Sequence, residues 1–238
     1  MPSHTLEIDA ILFDMDGTLI NSTPAVNGVW EDFAKKYDLN LKQMLSDSHG
    51  VQTHMTFRKY LPHLTDEERA AEVVNFEKGI IPMATKLQAE GKEGLNVLPG
   101  VPAVLSQLRA GRSTGYAIVT SATSAYAEAA LGMLSDQLGE LPKVIVTADD
   151  VPKGKPNPDP YLEGAKRLGL DITKCLVVED APSGARAGLA AGSEVLAVGT
   201  GHDVPAIKAV NPTYFVADLT QVSVEWKGEK LFVTINEA

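Results

Sequence analysis

With a single cysteine, the chain can form no internal disulfide, and a reducing compartment is the expected setting. Cys175 stands in the run CLVVED and reads as a buried, inert thiol rather than a nucleophile. Basic residues are also short: 21 against 31 acidic ones leave a formal charge of -10, and no Lys/Arg-dense stripe appears. That argues against a protein that grips nucleic-acid backbone. No apolar run approaches the length of a membrane span, and the opening MPSHTLEIDA lacks the charged and apolar regions of a secretory signal. A cytoplasmic protein with no nucleic-acid and no membrane partner is the expectation. Internal repeats and low-complexity tracts are missing too. What is present, 238 residues of which 44% are hydrophobic and 22% charged, suits one large domain or a core carrying an inserted module.

The most informative stretch is IDAILFDMDGTLIN, residues 8–21. Ile8, Ala10, Ile11, Leu12 and Phe13 give the near-continuous apolar run of a central parallel strand. It ends at two acids one residue apart, Asp14 and Asp16, followed by Gly17. Ligands of open α/β sheets collect at that strand edge, and two ionised carboxylates this close repel unless a cation or a shared proton joins them. Asp before Gly is also ordinary turn chemistry, so both readings stand on these residues alone.

Strand signals vanish over residues 23–94. Val26, Val29, Trp30 and Phe33 recur at helical spacing in a segment that Pro24 can start and that Asp38, Leu39 and Asn40 can end. Further helices are predicted over 55–61, 66–76 and 80–89, with Thr65 and Glu68 forming a capping-box signature. Gly91 and Gly94 mark the return linker. Beyond Leu98 the pattern alternates, with helices over 101–109, 124–134, 159–168 and 183–191 and strands over 116–120, 144–147, 175–179 and 195–198. The fold expected is α/β: a Rossmann-like parallel sheet with helices on both faces, plus an inserted all-α domain. The core takes residues 1–21 and 96–238, the insert residues 22–95. A terminal hairpin turns at Lys227, Gly228 and Glu229.

Parallel strands put all their carboxyl ends on one edge. The strand YAIVT leads to Thr120, Ser121 and Ala122, suited to an anion at a helix start or to plain helix capping. The loop VPKGKPNPDP brings Lys153 and Lys155, either a phosphate-neutralising pair or two surface lysines. The strand ending VVED adds Glu179 and Asp180. Four carboxylates facing one lysine repel one another if empty, and hard oxygen donors of this kind select Mg²⁺.

Taken together, DMDGT from Asp14, the Ser121 hydroxyl, Lys155 in GKPNPDPY, and Glu179 with Asp180 in VVEDAPSG resemble the four motifs of the haloacid dehalogenase-like hydrolases, in the phosphatase branch whose α-helical cap follows the first strand. The resemblance covers nearly the whole chain. It implies that Asp14 attacks phosphorus to form an aspartyl-phosphate and that Asp16 serves as general acid and base. It also implies Mg²⁺ held by the carboxylates of Asp14 and Asp180 and the main-chain carbonyl of Asp16, with Glu179 orienting the ion's waters. Ser121, the Ala122 amide and Lys155 would bind the phosphoryl oxygens. Family dehalogenases lack an acid at the Asp16 position.

The stretch SHGVQTHMTF, with His49 and Gln52 as candidate substrate contacts, resembles the cap loop of fungal glycerol phosphate and 2-deoxyglucose 6-phosphate phosphatases, which commonly carry arginine where Gln52 stands. His54 and His63 read as surface or packing positions. The implied activity is Mg²⁺-dependent hydrolysis of a small phosphorylated metabolite, a sugar or polyol phosphate, by a monomer or weak homo-oligomer. Two alternatives use the same residues differently: a sugar phosphomutase, whose cap must shelter the aspartyl-phosphate, and a non-catalytic binding protein, which should have lost an acid or the lysine.

Overall fold

The computed structural model describes residues 2–48, 53–111 and 115–237. In chain order it contains β1 (Ser3–Ile8), β2 (Ala10–Phe13), β3 (Ile20–Asn21), α1 (Thr23–Tyr37), α2 (Leu41–Ser48), α3 (Thr53–Tyr60), α4 (Asp66–Ala89) and β4 (Asn96–Val97). There follow α5 (Val101–Arg109), β5 (Tyr116–Val119), α6 (Ser124–Met133), α7 (Ser135–Leu138), β6 (Ile145–Val146), α8 (Asp159–Leu168), β7 (Cys175–Glu179) and α9 (Pro182–Ala191). The chain ends with β8 (Glu194–Val198), α10 (Val204–Lys208), β9 (Tyr214–Val216), β10 (Val222–Lys227) and β11 (Lys230–Asn236).

Six strands form the main sheet in the order β6-β5-β2-β7-β8-β9, every neighbouring pair parallel. All four residues of β2 are buried, as the apolar run requires of a strand covered on both faces. Its alternate side chains feed two clusters, Ile11 and Phe13 on one side of the sheet, Ala10 and Leu12 on the other. From β2 the strand order runs one way to β5 and the other way to β7. Such a reversal opens a crevice at the carboxyl ends.

The four helices α1–α4 form a cap inserted between β3 and β4, and these two short strands pair antiparallel, Ile20 with Val97 and Asn21 with Asn96. Trp30, Phe33, Phe57 and Phe76 make the heart of the cap, with the Trp30 and Phe76 ring centres 4.2 Å apart. The capping box at α4 is made: Glu68 N donates to Thr65 Oγ1 at 3.2 Å and Thr65 N to Glu68 Oε2 at 2.7 Å. Among the described residues no helix is long and apolar enough to cross a membrane.

Among the differences from the sequence expectation, three concern the first strand and the cap. The run 8–13 is not one strand: Ile8 ends β1, which pairs antiparallel with β11 in a separate sheet of order β1-β11-β10, and Asp9 N turns to Lys174 O at 2.8 Å before β2 begins. The two helices expected over 66–76 and 80–89 are one helix, α4. Gly79 lies at its crossing with α1, where a Cβ would stand 3.2 Å from Val29 Cγ1, so this glycine permits close packing rather than a break. Residues 41–48, given no element, form α2.

Candidate active site

The carboxyl ends of β2, β5, β6 and β7 open into a cleft of about 550 Å³, roofed by α1, α3 and α4. Asp14 follows the last residue of β2, and its amide donates to Val178 O at 3.0 Å, so its backbone is fixed by the neighbouring strand. Lys155, from the loop after β6, is 3% exposed. Its Nζ donates to Asp14 Oδ1 at 2.6 Å, Glu179 Oε1 at 2.8 Å and the Val119 carbonyl at 2.9 Å. Burial works against the ammonium charge, but the two carboxylates outweigh it and hold the Lys155 pKa above the usual lysine value. Tyr161 donates to Glu179 Oε1 at 2.9 Å and lays its ring 4.9 Å from the ammonium.

Asp14, Glu179 and Asp180 each bring one carboxylate oxygen within 4.8 Å of the others, all three side chains being buried. Burial, with the charges of Glu179 and Asp180 adding to it, pushes the Asp14 carboxyl well above its ordinary pKa against the pull of Lys155. Asp180 accepts from Thr18 Oγ1 at 3.1 Å and faces His202 Nδ1 at 2.5 Å. The backbone closes tightly around these acids: a Cβ on Gly17 or Gly201 would stand 2.3 or 2.0 Å from Asp180 Oδ2, and one on Gly184 1.5 Å from Glu179 Oε1. Three carboxylates with one ammonium among them form an all-oxygen donor set with excess negative charge, which fits a divalent cation.

Asp16 stands outside that carboxylate cluster. Tyr126 on α6 donates to its Oδ1 at 2.8 Å. Burial raises the Asp16 pKa to about 6; hydrogen bonds from Ser22 and Tyr126 work the other way, and Asp180 and Glu77 add to the rise. Ser121 is exposed to the cleft, and the Ala122 amide donates to Thr120 Oγ1 at 3.1 Å. The neighbouring Thr123 caps α6 and is held from the cap: its amide donates to Glu77 Oε2 at 3.2 Å, and its hydroxyl donates to the same oxygen.

Of the residues singled out in the sequence, Asp14, Lys155, Glu179 and Asp180 are in mutual contact or close to it, and Asp16, Ser121 and Ala122 line the same cleft. His49 and Gln52 lie outside the described residues. Lys153 is exposed and does not line the cleft. The sequence reading did not find Tyr126, Glu77, His202 or His54 as cleft residues. His202 had a signal, since TGHD comes just after β8 as DAP comes just after β7. Glu77 and Tyr126 had none, lying inside helices whose facing partner is far away in the chain.

A parallel sheet with a helical cap over buried carboxylates and a lysine at the strand ends defines a capped α/β hydrolase. The sequence pattern of haloacid dehalogenase-like hydrolases matches residues 8–192, and the chain belongs to that family. It is 39% identical over 203 residues to hexitol phosphatase A of Escherichia coli, covering 84% of this chain and 87% of that one. Glycerol-1-phosphate phosphohydrolase 1 of Saccharomyces cerevisiae is 35% identical over 212 residues, with 86% and 80% covered. The fold matches that of a HAD hydrolase of family IA, variant 3, from Entamoeba histolytica, with a TM-score of 0.76 at 22% identity over 91% of this chain and 96% of that one.

Proposed function

We propose that this protein is a Mg²⁺-dependent phosphomonoester hydrolase that acts on a sugar or polyol phosphate through an aspartyl-phosphate at Asp14. The observation that carries the reading is the contact of Asp14 with Lys155 beside Glu179 and Asp180, four residues from three separate segments of the chain, in a cleft that also holds a second acid. Asp14 lies at the strand end with one oxygen fixed by Lys155 and the other left to attack phosphorus in line. Asp16, with a pKa near neutrality, protonates the departing alkoxide and then takes a proton from the water that cleaves the acyl phosphate. Ser121 and the Ala122 amide hold phosphoryl oxygens, the amide giving up or sharing its bond to Thr120. Lys155 offsets the repulsion between a carboxylate nucleophile and a dianionic ester.

Bound by Asp14, Asp180 and the Asp16 carbonyl, Mg²⁺ would supply neutralising charge for the phosphoryl group. Glu179 is placed to orient the surrounding waters while its own position is held by Lys155, Tyr161 and the Ala181 amide. The names of the bacterial and yeast relatives, a hexitol phosphatase and a glycerol phosphate hydrolase, support the polyol phosphate class. Phosphate release should be assayed with Mg²⁺ across sugar, polyol and nucleotide monophosphates. Release from the first two classes, lost in Asp14→Asn, is expected; no release from any, or undiminished release by the variant, contradicts the proposal.

A further inference from the structure

The cap half of the cleft combines an apolar wall with a few polar side chains. Val26, Trp30, Val73, Phe76 and Ile80 make its wall, with Asn27 among them. Among the described cap residues lining it, Glu77 is the one acid, and His54 is the only other titratable one; burial holds the Glu77 carboxyl above its ordinary pKa, and the hydrogen bonds from Thr123 pull the other way. Glu77 cannot swing away cheaply: Oε2 accepts from both the amide and the hydroxyl of Thr123 at the start of α6. A carboxylate in that place is also favoured by the positive end of the helix. Its Oε1 forms no hydrogen bond among the described residues, and the residue lines the cleft. Lys155, the only lysine lining the cleft among the described residues, is engaged on Asp14 and Glu179.

We infer that Glu77 is a specificity-determining residue, which admits phosphate esters with an uncharged polyhydroxylated leaving group and rejects those that carry a second anion, a carboxylate or another phosphate. The inference rests on the phosphatase reading above and adds to it the charge of the leaving group. A hydroxyl can donate to Oε1. A carboxylate in the same place meets the Glu77 carboxylate in a cleft of low dielectric, and among the described residues lining the cleft no arginine and no lysine other than Lys155 stands by to offset it.

Two substrates with one carbon skeleton separate these cases: glycerol 3-phosphate, with a terminal hydroxymethyl, and 3-phosphoglycerate, with a terminal carboxylate. The readout is the ratio of their kcat/KM values. The wild-type protein should favour glycerol 3-phosphate by about tenfold or more, Glu77→Gln should narrow that ratio by about tenfold, and Glu77→Lys should narrow it further or invert it. Glutamine keeps the size and the bond to Thr123, so the first substitution changes charge and little else. A ratio unmoved in Glu77→Gln, or a wild-type preference for 3-phosphoglycerate, overturns the inference. Hydrolysis of p-nitrophenyl phosphate by the wild-type protein is measured alongside. Where it proceeds and the ratio stays fixed, Glu77 alone loses its role; where no phosphate ester is cleaved, the phosphatase reading falls and takes this one with it.

Discussion

Lys155 is the residue on which the electrostatics of the site turn, because it alone offsets Asp14 and Glu179, both buried with it. Replacing it by methionine, which fills a similar space, leaves two carboxylates in a dry setting with no counter-charge. Breaking a buried pair from one side costs roughly 3–5 kcal/mol. Lys155→Met should therefore lower the unfolding free energy from urea titration by that amount when measured without divalent cation, and an unchanged free energy would refute the burial argument. Asp16 gives a second expectation. Its pKa of about 6 is set by burial and moderated by the hydroxyl of Tyr126, which favours the ionised form. Removing that hydroxyl in Tyr126→Phe should raise the pKa. With an aryl phosphate, whose good leaving group makes the water step limiting, Asp16 must be ionised, so activity falls as pH drops through its pKa. The acid limb of the kcat profile should move to higher pH in Tyr126→Phe, and a limb that stays in place would show that Asp16 does not govern it.

At the scale of elements, the start of α9 packs against the carboxylate that closes β7. Gly184→Ala would drive a methyl group into Glu179 Oε1, which lies 1.5 Å from the ideal Cβ position, and displace the partner of Lys155. A loss of about 1–3 kcal/mol in stability is expected from such overpacking, together with a loss of phosphate release. Gly132→Ala, inside α6 with nothing within 4 Å of its Cβ, is the counterpart; it should be neutral or stabilising by about 0.5–1 kcal/mol. Thermal melts of the two variants, differing in sign, check the packing directly. Much of this layer was legible in the sequence. The bounds of β7 and α8 follow from an apolar run and from a periodic stretch, since a strand buried on both faces and an amphipathic helix each leave a local pattern. The division of residues 8–13 between two sheets left none, because Ile8 is apolar for either sheet. Nor did the continuity of α4, since Gly79 and Pro82 carry the local signature of a break and only α1 explains why the helix runs through. The strand-end acids were readable because parallel topology gathers them. Glu77 depends on how the cap meets the core, which no nearby residue encodes.

Across the whole molecule, an acidic chain concentrates three carboxylates in one buried cluster and leaves them one lysine. A divalent cation that binds this cluster and not the unfolded chain must stabilise the fold. At a hundredfold excess over the dissociation constant the gain is about 2.7 kcal/mol, or a rise of roughly 5–10 °C in Tm for a chain of this size. Scanning calorimetry with Mg²⁺ and with a chelator should show that rise in the wild-type protein and a smaller one in Asp180→Asn; equal Tm values with and without Mg²⁺ would remove the cation from the site. The larger claim is that residues scattered along the chain meet to pass a phosphoryl group through Asp14. Its most direct test is the mass of the Asp16→Asn variant after brief incubation with Mg²⁺ and p-nitrophenyl phosphate, whose leaving group departs without an acid. With the water step disabled, the protein should gain the mass of one phosphoryl group, and peptide mapping should locate it on Asp14. A phosphoryl group mapped to any other side chain, or rapid turnover by this variant with no adduct at all, would contradict the account.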